Sequence, residues 1–217
     1  MSEIKVELSS ILDAFQKNAP EPFKVPINEA RANIITTFDH SATIKEGQPL
    51  PDFVLSDALG QSVSSKDLLS KGPILITFYR GSWCPFCNVA LRYLQTHFDA
   101  FASRGVTLVA ISPELPDTSL TTAEKLDLKF PVLSDVGNVF AGKLGIVWQQ
   151  PDTLRPVFER AGHNLPKRTG DDSYKVPVPT TLLVDGKGIV RNTFIDPDYT
   201  QRLDPEVALG WVDALKN

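Results

Sequence analysis

The sequence predicts an α/β fold, a sheet covered by helices, on three observations. Short apolar runs bounded by turn residues alternate with segments whose apolar residues recur at helical spacing. The runs at 75–78 and 106–111 are apolar but for Thr77 and Thr107, as strands buried on both faces are. The 217 residues are 42 % hydrophobic, enough for one well-cored domain with an appendage.

The elements follow in order. Residues 1–45 read as an N-terminal helical arm, with helices over 6–16 and 27–38 separated by a break at Pro20, Pro22 and Pro26. A domain over 46–217 then begins with alternating apolar and polar residues around Gly60, the pattern of a hairpin. After the strand at 75–78, Leu91, Leu94, Phe98 and Phe101 share one helical face that ends at Gly105. A strand at 106–111, a helix at 120–128, a strand at 131–133 and a helix at 136–144 continue the alternation. Residues 149–177 break it, being rich in Pro, Arg and Asp, and read as an insertion with one helix near 153–161. A closing hairpin turns at Asp185-Gly186-Lys187-Gly188, and a last helix over 205–215 takes Asp204 as its N-cap.

Charge and hydropathy exclude several function classes. With 22 basic and 26 acidic residues, a net charge of −4 and no Lys/Arg block, nucleic acid and anionic membrane surfaces are poor partners. Met1 to Leu8 alternates charged with apolar side chains, unlike a secretory signal, and no segment reaches the ~18 apolar residues of a membrane span. The expected location is the cytoplasm. Two cysteines three positions apart cannot staple a secreted fold, and a reducing compartment suits a cycling dithiol.

Those cysteines, Cys84 and Cys87, form a C-x-x-C pair between a predicted buried strand and the first turn of a predicted helix. The positive end of a helix favours the thiolate, and only the thiolate is a nucleophile, so the pair reads as redox-active. No acidic residue occurs between Arg80 and His97, which leaves Arg80 unopposed in sequence; it is a candidate partner of the thiolate or of an oxygen of whatever the thiolate attacks, with Arg191 a weaker alternative. Trp83 is a candidate shield for the thiol. Zinc needs about four ligands, and His40, His97 and His163 stand singly, so no metal and no other cofactor is expected.

Further blocks accompany the redox turn in order: 47–63, Leu108 to Pro113, Phe130 to Asp135 and Pro179 to Arg191. With them, the chain resembles the peroxiredoxin-like branch of the alkyl hydroperoxide reductase C and thiol-specific antioxidant (AhpC/TSA) family over about residues 45–200. That resemblance implies a thioredoxin-like fold with a central mixed sheet. Val178-Pro179-Thr180 looks like the cis-proline turn that thioredoxin-fold proteins place beside their cysteines, and is expected to bind substrate. Phe194 to Arg202 is similar to a segment common in this branch, without an evident chemical role. Two departures stand out. Laid on the peroxiredoxin pattern P-x-x-x-T-x-x-C, Arg80 takes the proline position, Cys84 the threonine and Cys87 the peroxide-attacking cysteine; Pro179 stands where the family has its active-site arginine.

The peroxiredoxin register thus nominates Cys87 as the attacker with Cys84 resolving it, and the Phe78-to-Cys84 spacing favours this. Analogy with thioredoxins nominates Cys84. The implied function is a thiol-dependent peroxidase for hydrogen peroxide or alkyl hydroperoxides, re-reduced by a thioredoxin- or glutaredoxin-type donor; the alternative is a thiol-disulfide oxidoreductase acting on protein disulfides. The arm is expected to make a homodimer contact or to cover the sheet edge.

Overall fold

The computed structural model describes residues 2–215. Helices α1 (Glu3–Asn18) and α2 (Glu21–Thr37) open the chain. The expected proline break is narrower than its three prolines suggest: Pro20 is the N-cap, and Pro22 and Pro26 lie inside α2. A first-turn proline gives up an N–H that has no intrahelical partner. Pro26 deprives the Pro22 carbonyl of its helical donor, but Pro22 is exposed and its carbonyl can meet water. The hairpin β1 (Val54–Asp57) and β2 (Ser62–Ser64) pairs Val54 with Ser64 around Gly60. Helix α3 (Ser65–Leu69), capped by the Ser64 side chain, leads to β3 (Ile74–Phe78). The helix after Cys87 is two helices, α4 (Pro85–Thr96) and α5 (Phe98–Ser103), interrupted at His97, whose Nδ1 lies 2.8 Å from the Tyr93 carbonyl oxygen.

Strand β4 (Thr107–Ser112) follows, then α6 (Pro116–Lys125), which starts four residues before the expected 120 because Pro116 suits a helix N-terminus. After β5 (Val132–Ser134) comes a 3₁₀ turn and the short α7 (Val139–Lys143) in place of one helix, since Gly137 and Asn138 both have positive φ. The Asp135 carboxylate accepts hydrogen bonds from the Phe140 and Ala141 amides and fixes that start. The insertion is a closed excursion: β6 (Val147–Gln149) and β7 (Lys175–Pro177) pair antiparallel at its neck, and α8 (Arg155–Arg160) and α9 (Leu165–Thr169) lie between. Strands β8 (Thr180–Val184) and β9 (Val190–Ile195) and helix α10 (Pro205–Ala214) complete the chain, with the Asp204 side chain capping α10 as expected.

Seven strands form one sheet in the order β2-β1-β5-β4-β3-β8-β9. The inner β5, β4 and β3 run parallel, and β8 joins β3 antiparallel. This is the mixed central sheet of a thioredoxin-like fold. Because side chains alternate along a strand, β3 feeds two cores: Leu75 packs in the layer with α4, α5 and α10, while Ile74, Ile76 and Phe78 pack with Phe140 and Leu144 on the opposite face. The N-terminal arm joins the first layer, where Ile4 and Leu8 are buried in the same cluster as Leu91. Among the described residues, no helix is long and apolar enough to cross a membrane.

Candidate active site

The redox turn leaves the end of β3. Tyr79 still donates its N–H to the Ile111 carbonyl, and the chain then turns at Gly81, whose φ is +145°. A Cβ there would stand 2.4 Å from the indole nitrogen of Trp83, so only glycine lets that ring fold back over the loop. Cys84 is the N-cap of α4 and Pro85 its first residue. The Cys84 carbonyl accepts the amides of Cys87 and Asn88, which fixes both cysteines on the helix's first turn.

Two guanidiniums reach the sulfurs. Arg202 Nη2 lies 3.1 Å from Cys87 Sγ, and Arg80 Nη1 lies 3.8 Å from Cys84 Sγ. Both arginines are buried, and their remaining hydrogen-bond partners are neutral: Gln150 Oε1 for Arg80, the Tyr199 and Gln201 carbonyls for Arg202. The Arg80 guanidinium is held over Tyr199, 3.9 Å from the ring centroid, and beside Trp83 at 4.6 Å. A buried cation without an anion is strongly unfavourable; the anion these guanidiniums touch is a thiolate, while the Asp196 carboxylate acts on Arg202 without a hydrogen bond. Burial would raise the Cys87 thiol, but the hydrogen bond from Cys84, the Arg202 and Arg80 charges and the Arg80 backbone N–H together hold it well below the ordinary thiol value. Burial, and then the hydrogen bond and charge of Cys87, push Cys84 well above it. The pair therefore loses one proton readily and keeps the second, with a single negative charge across an S–H···S hydrogen bond.

The two sulfurs differ in access. A cavity of about 250 Å³ opens beside the turn and is lined by Cys84, Arg80, Trp83 and Tyr199, but not by Cys87. Its remaining wall is mostly apolar and comes from α1, α2 and α8.

Of the residues expected from sequence, Arg80, Trp83, Cys84 and Cys87 converge here. The proline turn needs correction. Among the described residues there is no cis peptide bond, so Val178–Pro179 is trans. The extended chain is already engaged: the Val178 N–H bonds the Ile146 carbonyl, the Val178 carbonyl accepts the Thr180 hydroxyl, and the Pro179 carbonyl accepts the Asp196 amide. With all three residues buried, the backbone edge expected to receive substrate is satisfied internally. Arg191 pairs with Asp185 in the β8–β9 turn instead of reaching a cysteine.

Arg202 is the residue the sequence reading missed. Its segment stood out by resemblance, but 115 positions separate it from Cys87, and nothing local marks that meeting. Glu114, just after β4, was missed as well. Its fully buried carboxylate accepts the Ser82 N–H at 2.8 Å and the Ser82 hydroxyl at 2.9 Å, and lies 3.6 Å from the Arg168 guanidinium, tying the redox turn to α9. Burial raises its pKa against those donors. Glu114→Ala is expected to destabilise the fold by about 1 kcal/mol in chemical denaturation, since it removes the acceptor of the half-buried Ser82 amide and hydroxyl.

Comparison with known proteins bears on the fold and the family. The AhpC/TSA family matches residues 46–193. The "Putative peroxiredoxin bcp" of Buchnera aphidicola is 33 % identical over 104 residues, 48 % of this chain and 65 % of that protein. The thiol-disulfide oxidoreductase ResA of Bacillus thuringiensis is 30 % identical over 159 residues, 73 % of this chain and 74 % of that one. Among solved structures, peroxidoxin BcpB of Mycobacterium tuberculosis superposes with a TM-score of 0.63 at 22 % identity, covering 80 % of this chain and 99 % of its own. The reduced 2-Cys peroxiredoxin of Plasmodium vivax gives 0.63 at 20 % identity, covering 80 % and 82 %. These last two likenesses establish the shared fold. With a dithiol at the start of a helix on that fold and the family's match over more than half its length, the chain belongs to the AhpC/TSA family of redox proteins.

Proposed function

We propose that the protein is a dithiol peroxidase that reduces a small hydroperoxide through Cys84 and Cys87 and is restored by a cytoplasmic thioredoxin- or glutaredoxin-type donor. The observation that supports this reading is the placement of Cys84, 1 % exposed yet lining the cavity. Exchange with a protein disulfide needs an in-line approach of two sulfurs from another chain. A peroxide enters that cavity without rearrangement, whereas a protein sulfur, that of the re-reducing donor included, reaches Cys84 only once the cavity wall opens.

Access assigns the first step to Cys84 and charge assigns the base to Cys87. Cys84 Sγ attacks one peroxide oxygen as its proton passes to the Cys87 thiolate; the S–O bond forms, the O–O bond breaks, and the departing alkoxide takes that proton to leave as the alcohol. Arg80, which lines the cavity, supplies positive charge where the alkoxide develops. The Cys87 thiolate then attacks the Cys84 sulfenic acid, the S–S bond forms, and hydroxide leaves as water after taking a proton from solvent. The external dithiol returns two electrons and one proton to the pair, restoring its thiol and thiolate, and its second proton goes to solvent in place of the one taken to form water.

Stopped-flow reaction of the reduced protein with hydrogen peroxide and an organic hydroperoxide tests this, with an expected rate far above that of a free thiolate. One intramolecular disulfide is the expected product, seen as the loss of both thiols without a chain-to-chain dimer. The ResA relatives support a second reading, thiol-disulfide exchange. Peroxide rates no greater than those of a free thiol, with rapid reduction of a protein disulfide, establish that reading instead.

A further inference from the structure

We propose that α1 and α2 are the substrate-selecting element of this protein and that they select hydroperoxides carrying a bulky apolar group, a branched alkyl or single aryl substituent, over hydrogen peroxide. The inference rests on the peroxidase reading of Cys84. The family match begins at residue 46, so both helices lie outside it. Yet they supply Phe15, Phe23 and Ile27 to the cavity that Cys84 and Arg80 line from the other side, and α8 closes it with Val157 and Phe158. The chamber is two-ended: a sulfur and a guanidinium at one end, aliphatic and aromatic carbon at the other. Phe15, Phe23 and Ile27 are each only partly buried, and the cavity leaves apolar surface that a hydrocarbon substituent would cover. A volume of about 250 Å³ holds on the order of eight liquid-water volumes of ~30 Å³. That accommodates one aryl or branched alkyl group.

The charges at the rim favour an uncharged substituent. Arg31 lines the cavity, but its guanidinium is engaged by Asp198 through two hydrogen bonds, one of 2.7 Å, and by the Thr200 hydroxyl. It is not free to receive a carboxylate from the substrate. The same ion pair anchors α2 to the segment that places Tyr199 over Arg80 and Arg202 on Cys87. The selecting wall is therefore held in register with the reacting sulfurs.

The test has two readouts on the reduced full-length chain. The first is the ratio of rate constants for cumene hydroperoxide and hydrogen peroxide. It is expected to exceed that of a free thiol about tenfold in the wild type and to fall about tenfold in Ile27→Trp, which fills the chamber. Phe23→Ala, which widens it, is expected to shift preference toward a larger aryl hydroperoxide. The second is binding of 2-phenyl-2-propanol, the alcohol product, followed by tryptophan fluorescence and lost in Ile27→Trp. Alcohol binding without peroxide turnover supports the chamber and removes the peroxidase reading. Rapid turnover of both peroxides at the free-thiol ratio, with no alcohol binding by the wild type, overturns the inference and leaves the peroxidase reading intact.

Discussion

Arg202→Met is expected to slow reaction of the reduced protein with peroxide and with iodoacetamide at neutral pH by roughly 10- to 100-fold. The loss corresponds to one charged hydrogen bond, about 1.5–3 kcal/mol. Arg202 Nη2 is 3.1 Å from Cys87 Sγ, in a place where no water can substitute for it, since Cys87 is fully buried. Removing the guanidinium leaves burial to push the Cys87 thiol back up, so the pH–rate profile is expected to move to higher pH and to recover at alkaline pH. Methionine keeps the bulk, so a fold-wide effect would appear instead as a pH-independent loss. Stability follows with a definite sign. Because Cys87 is lowered in the folded protein, its contribution is complete above the unfolded thiol pKa and is lost as pH falls through the folded value. Urea titration of the reduced wild type should show that slope, and Arg202→Met should flatten it. An unchanged pH–rate profile in the variant means that Arg202 does not hold the thiolate.

The single-cysteine variants are expected to divide the two sulfur roles. Cys87→Ser keeps the cavity-facing sulfur and loses both base and resolver, so it should react slowly but stop at a sulfenic acid on Cys84, captured by a dimedone-type trap and located by mass spectrometry. Cys84→Ser keeps the low-pKa thiolate behind a blocked approach, and no adduct on Cys87 is expected. The opposite pattern, adduct on Cys87 alone, returns the attack to the sulfur that the peroxiredoxin register nominates. That outcome would require peroxide to pass beyond the cavity floor that Cys84 forms. The contrast sets a steric requirement against an electrostatic preference, and the variants measure which dominates.

What could be read from the sequence was what local chemistry writes. The apolar run at 74–78 is a strand buried on both faces, the Asp204 cap is a cap, and the C-x-x-C pair stands at a helix start. Elements shifted where one residue's backbone preference overrode periodicity: Pro116 pulled α6 forward, and Gly137 and Asn138 divided the helix expected at 136–144. The site was half visible. Arg80, Trp83, Cys84 and Cys87 share one turn, so sequence proximity is spatial proximity. Arg202 reaches the site only because β9 runs antiparallel to β8, itself paired with β3, which returns the chain to the level of the redox turn. The cavity wall was hidden for another reason. Phe15, Phe23 and Ile27 carry ordinary apolar spacing for packed helices, and nothing in that pattern distinguishes a side chain that meets a neighbour from one that faces a void.

The two buried guanidiniums are also expected to raise the reduction potential of the cysteine pair. They are matched to a dithiol that carries one negative charge. When Cys84 and Cys87 join, that charge disappears while Arg80 and Arg202 remain buried with neutral hydrogen-bond partners, the Asp196 carboxylate acting on Arg202 without a hydrogen bond. The oxidised state thus loses the one negative charge that had partly compensated the two guanidiniums, and the free energy lost on oxidation is expected as a more positive potential for the couple. Such a disulfide is an oxidant in waiting rather than a staple. It reopens readily when a donor dithiol arrives, and the oxidised protein should melt at a lower temperature than the reduced one, the reverse of what a structural cross-link does.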